Sequence, residues 1–189
     1  MKTMKKVLPL VAFLFVVAAI IMSFFAGLKG TSSGITSTFK NIIWGCKEVD
    51  VEGTVVSLKS FIGIESAGIS VLPFIGLILM LLGGVGGLLV ALLAKKPSAK
   101  WILLICGVLV LAGAIMQFFA MQAFVRALVT TMYKEAGVTD KAEIEKAVKE
   151  GIENVKKQDP KIVMSVIMGI LGCLAGVFNA AAGLLSDKK

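Results

Sequence analysis

Apolar and polar positions segregate along this chain into long blocks. Four runs are almost wholly apolar: residues 7–27, 69–94, 101–129 and 161–185. Each reaches the roughly 20 residues that cross about 30 Å of hydrocarbon at 1.5 Å per residue. A bilayer core offers the backbone no water, so runs of this kind predict helices. The expected fold class is an all-α membrane protein, a four-transmembrane-helix bundle forming a single tetraspan domain over 1–189. The short link 95–100, KKPSAK, makes the second and third spans an antiparallel hairpin. Asp159 followed by Pro160 suits the N-cap and first helical position of the fourth span.

Between the spans the period changes. In the outer loop 130–160, Ile144, Val148, Ile152 and Val155 make one narrow stripe at helical spacing. Asp140 and Glu143 fit a capping box, and Glu145–Lys149 and Glu153–Lys157 are favourable i,i+4 pairs. These features predict an amphipathic helix over about 140–157. Its stripe needs a cover, either the first loop or the membrane surface, and the first loop is expected because the helix is acidic as well as basic. That loop, 28–68, opens on KGTSSG, a turn-rich stretch, and then becomes strand-like. Val49 and Val51 alternate with acids, and Val56 and Leu58 alternate with Ser57 and Lys59, with Gly53 at a turn between them. A short antiparallel β-sheet plus one amphipathic helix is therefore expected to form a small extracytoplasmic cap.

Small residues supply the packing pattern within the spans. Helices in lipid associate through close van der Waals contact, which small side chains permit. Gly76, Gly83 and Gly87 share one face of the second span. Ser165, Gly169, Gly172, Gly176, Ala180 and Gly183 fall within about 80° of one another on the fourth. Both sets are helix-packing candidates, either inside one bundle or against a homo-oligomer or membrane-protein partner.

Polar residues inside the runs are few. Taken as one helix from Trp101, the third run places Gln117 about 24 Å along and Arg126 about 37 Å along. Gln117 and Asn179 are thus the polar intramembrane candidates, and Trp101 and Arg126 are expected interface anchors. Gln117 and Arg126 fall about 180° apart, so no single polar stripe runs through this span. Trp44 is the outside-loop interaction candidate, with a core or interfacial position as the alternative.

Charge adds orientation. The formal net charge is +8. Both outer loops balance, so the excess resides in Arg126 and in three segments: Lys2, Lys5 and Lys6; Lys95, Lys96 and Lys100; and Asp187, Lys188 and Lys189. Lysine next to span ends favours the cytoplasm, so both termini are expected inside and both long loops outside the cytoplasmic membrane. The basic balance is a topology signal and gives no reason to invoke nucleic acid; the expected partner is the lipid bilayer. MKTMKK resembles the start of a secretory signal, but the apolar run is long and Phe24 falls where a small residue is wanted, so an uncleaved first span is expected.

Chemistry is sparse. The chain has no His, and its three cysteines have no CxxC spacing. No Asp or Glu lies within a span, where a proton relay would want one. No cofactor, metal or catalytic residue is expected, and Cys46 is expected as a free outside thiol. The chemistry points to a non-enzymatic scaffold, accessory subunit or interaction module. The alternative is a small channel or transporter, with Gln117, Asn179 and Ser165 lining a neutral polar path.

Four spans with a strand-rich first loop carrying Trp44-Gly45-Cys46 resemble the claudin-like layout. The second loop cysteine and the Gly-Leu-Trp order are missing, so the resemblance implies architecture and not barrier formation. The chain is also similar to small bacterial tetraspan proteins with a strand-rich, Trp-Gly-containing first loop, which again implies architecture alone.

Overall fold

The computed structural model describes residues 4–32, 35–93, 99–157 and 163–185. The Lys95–Lys96 pair, the Asp159–Pro160 cap, Lys2 and the C-terminal Asp187, Lys188 and Lys189 lie outside them, whereas Lys5 and Lys6 fall in the first helix. Four helices are long and apolar enough to cross a membrane: α1 (Met4–Ser23), α3 (Val71–Leu93), α4 (Ala99–Gln117) and α7 (Val163–Leu185). The remaining elements are strands β1 (Gly27–Ser32), β2 (Ile35–Lys40), β3 (Glu48–Val51) and β4 (Thr54–Ser57), the short α2 (Leu58–Ile62), α5 (Ala120–Glu135) and α6 (Lys141–Lys157). They form two compact units: residues 1–22, 75–118 and 166–189 make the first, and 23–74 with 119–165 make the second.

In the first unit glycines let the helices approach closely. Val16 of α1 sits against Gly84 of α3, and Phe15 stacks on Phe178 of α7 with ring centroids 5.8 Å apart. Ala12, Val16 and Ala19 are fully buried along the α1 face that makes these contacts. The opposite faces of the four helices expose leucine, isoleucine and valine, among them Leu14, Leu82, Ile105 and Val177.

The run 101–129 is not one helix: α4 ends at Gln117, a tight turn occupies Phe118–Phe119, and α5 starts at Ala120. No Pro or Gly marks the break. The backbone nevertheless departs from the helix, with Phe118 N–H donating to Ile115 O and Phe119 at φ −94°, ψ 8°. The α4 that remains is about 28 Å long, and Arg126 belongs to a separate, more polar helix.

The second unit is a four-stranded antiparallel sheet in the order β1-β2-β3-β4, together with α5 and α6. Cross-strand partners share a face. Leu28, Phe39, Val49 and Val56 therefore line one side, and Lys29, Thr38, Asp50 and Val55 the other. The apolar side meets α5, where Phe39 lies 5.4 Å from the ring of Phe124. On the polar side Lys40 pairs with Asp50 at 3.8 Å. The KGTSSG stretch, expected as a flexible turn, contributes Lys29–Ser32 to β1, because pairing with β2 overrides its local composition. Leu58 also departs from its expected strand position. Ser57 Oγ accepts from Ser60 N–H as an N-cap, and Leu58 opens α2, buried.

The β3–β4 turn places Glu52 at φ 50° and Gly53 at φ 88°, the left-handed pair of a type I′ hairpin. Asp50 Oδ1 accepts from Gly53 N–H at 2.8 Å. Gly53→Ala is expected to cost about 1 kcal/mol, and Glu52→Asn to stabilise by several tenths, because asparagine tolerates this backbone better. Denaturant midpoints of the two variants check both signs.

The helix expected near 140–157 is α6, with Asp140 Oδ1 accepting from Ala142 N–H at 2.8 Å. Its cover is α5 and not the first loop. A methyl group added at Gly151 would touch Val125 and Val129 at 3.3 and 3.4 Å, and Arg126 makes two hydrogen bonds to Glu145 at 2.7 and 2.9 Å. Thus α5 carries the sheet on one side and α6 on another, a role hidden while its residues read as the end of a span.

Candidate functional site

The fourth-span stripe lies along α4. A methyl group at Gly172 would meet Ala114 Cβ and Met80 Cε, both at 2.7 Å, and one at Gly176 would meet Leu111 Cγ at 2.5 Å. Gly169 faces the Phe118 ring, Gly183 faces Lys100 O and Leu104, and Ala180 packs on Gly107. In each case a side chain or carbonyl of the same chain fills the space a glycine leaves. Ser165 is fully buried, and its hydroxyl has no hydrogen-bond partner among the described residues.

The α3 glycines divide between two neighbours. A methyl group at Gly76 would lie 2.6 Å from Gly113 O and 2.7 Å from Gln117 Nε2, and one at Gly83 2.6 Å from Cys106 O. Both sites face α4. Gly87 faces α7, where the Asn179 amide occupies the position a side chain would take, with Oδ1 at 2.7 Å.

The two polar intramembrane candidates are fully buried but stand apart. Gln117 Nε2 donates to Gly113 O at 3.5 Å beside Gly76, and Asn179 Nδ2 donates to Gly83 O at 3.4 Å. Along α3, Gly76 and Gly87 are separated by about 16 Å. The level between them is filled by Met80 and Val110, both at 0% exposure. Each amide therefore binds a carbonyl exposed by a glycine on a neighbouring turn or helix, and apolar side chains separate the two. Asn179 Oδ1 has no hydrogen-bond partner among the described residues.

Trp101 is exposed at the start of α4, with the Lys100 ammonium 5.5 Å from its ring centroid. Arg126 is exposed and held by Glu145. The 37 Å path that carried Arg126 along an unbroken helix does not exist, so its geometry is that of an inter-helix tie between α5 and α6.

Trp44 is the centre of an aromatic cluster that the sequence did not reveal. Its ring stacks on Phe24 at 5.0 Å and 4°, and meets Phe74 edge-on at 5.4 Å. Its indole N–H donates to Ser23 Oγ at 2.9 Å. Gly45, at φ 109°, and Asn41, at φ 55°, shape the turn that presents the ring. The turn is laced to the chain on both sides. Ile42 N–H donates to Ala26 O, Ser70 N–H to Ile43 O, and Ala67 N–H to Cys46 O.

Cys46 is fully buried, with its thiol 3.0 Å from Glu48 O. Burial pushes the thiol above its ordinary value of 9.0, against the weaker lowering effect of the backbone contact. The raised value keeps Cys46 neutral, and the stability this contributes is present below the ordinary value and lost as pH rises through the folded one. Maleimide labelling of Cys46 at neutral pH is expected to proceed only as fast as unfolding exposes it. Labelling at the rate of a free thiol in the folded protein would contradict this burial. Among the described residues no three His, Cys, Asp or Glu side chains group as a metal site.

No family model matches the chain, and no curated protein matches it in sequence.

Proposed function

We propose that the chain is a non-enzymatic integral protein of the cytoplasmic membrane, acting as a scaffold, accessory subunit or interaction module for a membrane-protein partner. In this reading α1, α3, α4 and α7 cross the bilayer and both termini are cytoplasmic. The segments 24–70 and 118–162 are then extracytoplasmic, since each joins an odd-numbered span to the next. The claudin-like layout is compatible with this arrangement and adds no activity to it.

The observation that carries the reading is the internal use of the small-residue surfaces. Glycines 76, 83, 87, 172 and 176 are each closed by an atom of a neighbouring helix. A partner would therefore meet the outer faces of the helices or the folded connecting segments. Separation of Gln117 from Asn179 by Met80 and Val110 favours packing roles for both amides over a solute path.

Extraction of the full chain in mild detergent, followed by mass determination and cross-linking, tests this reading. The expected result is a stoichiometric membrane-protein partner cross-linked through 27–62 or 120–157. A partner-free particle whose reconstituted vesicles pass solute, with flux lowered by Gln117→Leu, would replace it with the transport reading.

A further inference from the structure

We infer that the Trp44 turn is a lipid-interface anchor. Trp44, Phe24, Phe25, Val71 and Leu72 would insert into the outer boundary between phospholipid headgroups and acyl chains. The inference rests on the membrane reading above and adds a lipid-binding surface to it.

The residues in question are large, apolar and outward-facing. Phe25 is 71% exposed, Val71 64%, Phe24 55% and Trp44 37%. A cluster of this kind is unusual on a surface meant for water and marks contact with a partner or a membrane. Its position identifies which. Ser23 is the last residue of α1 and Val71 the first of α3, and Trp44 touches Ser23 at one and Phe74 in the first turn of the other. The cluster therefore lies where the chain leaves one helix and enters another, each apolar enough to span a bilayer.

The chemistry of the turn fits the same boundary. A tryptophan ring at an interface ordinarily keeps its N–H wet. Here Ser23 Oγ satisfies the N–H, so the ring can lie against acyl chains without leaving a donor unpaired. Lys47 in the same turn and Lys40 at the end of β2 are both exposed and line a cleft with Asn41, Gly45 and Glu48, Lys40 also pairing with Asp50 at 3.8 Å. Amines placed beside an apolar wedge meet phosphates when the wedge meets acyl chains. The hydrogen bonds from Ile42, Ser70 and Ala67 hold the turn in place, so little ordering is required on insertion.

The two tryptophans give a direct test. Trp101→Phe leaves Trp44 as the sole indole, and Trp44→Phe leaves Trp101. Each full-length variant is reconstituted into phosphatidylcholine–phosphatidylglycerol vesicles carrying bromine near the headgroup or near the bilayer centre. Trp44 is expected to be quenched about twofold more strongly by shallow than by deep bromine, and to be shielded from aqueous iodide. Iodide quenching of Trp44 with no response to either brominated lipid, while Trp101 responds to lipid, would overturn the anchor and leave the spanning reading intact. If neither tryptophan responds to lipid, both readings fail.

Discussion

Replacing Gly113 with leucine is expected to lower the stability of the helical bundle by about 3 kcal/mol, the upper end for over-packing a well-filled interior. A methyl group at Gly113 would fall on the Gly76 carbonyl oxygen and lie 2.8 Å from Met80 Cγ and 3.0 Å from Met80 N. Two of these three atoms are backbone, which cannot rotate aside, so α3 and α4 must separate to admit the side chain. Separation also pulls Gly172 away from Ala114 and Met80, so the loss spreads through the contact with α7. Val108→Leu provides the control on the same helix. It enlarges a side chain that is 63% exposed, and its expected change lies within about 0.5 kcal/mol. Unfolding in a mixed-micelle denaturant series measures both. If the glycines served contact between copies instead, Gly113→Leu would shift the particle mass and spare the stability of the single chain.

Phe124→Ala is expected to cost about 3 kcal/mol or more within the second unit. Phe124 is 1% exposed, and its ring lies against Phe39, which in turn meets Phe61 edge-on at 6.4 Å. Truncation leaves a void between α5 and the apolar face of the sheet, where Val49 and Leu58 are also fully buried. A sheet of four short strands has little independent stability without that support. Protease cleavage within β1–β4 should therefore accelerate strongly, and Phe124→Leu should recover most of the protection. Equal cleavage rates for Phe124→Ala and the parent would show that the sheet does not depend on α5.

Much of this architecture can be read from the chain, and the parts that cannot share a physical cause. Four apolar runs announce four long helices because length and composition are local properties. The α6 helix is legible for the same reason, through its stripe and the Asp140 cap. The break at Phe118–Phe119 is not, because neither residue disfavours a helix enough to signal it. That one misreading concealed α5, and with it the support for α6 and for the sheet. Strand β1 escaped because Lys29–Ser32 has turn composition and becomes a strand only by pairing with residues 35–38. The small-residue stripes are visible as periodicity, yet the identity of what they face is a tertiary fact. For Trp44 the partners lie 20 to 30 positions away in both directions, at Ser23, Phe24 and Phe74. Residue type marked it as notable, but only the fold shows that it bridges the ends of two helices.

The central claim is a four-span chain with both folded connecting segments on one side of the membrane. Single cysteines introduced in a background lacking Cys46, Cys106 and Cys173 test it most directly, at Thr54 and Lys149 in the second unit and at Lys96 in the short link. With a membrane-impermeant maleimide on intact cells, Thr54→Cys and Lys149→Cys are expected to label, and Lys96→Cys only after permeabilisation. Labelling of Lys96→Cys together with Thr54→Cys in intact cells, or protection of Lys149→Cys while Thr54→Cys reacts, would contradict the account.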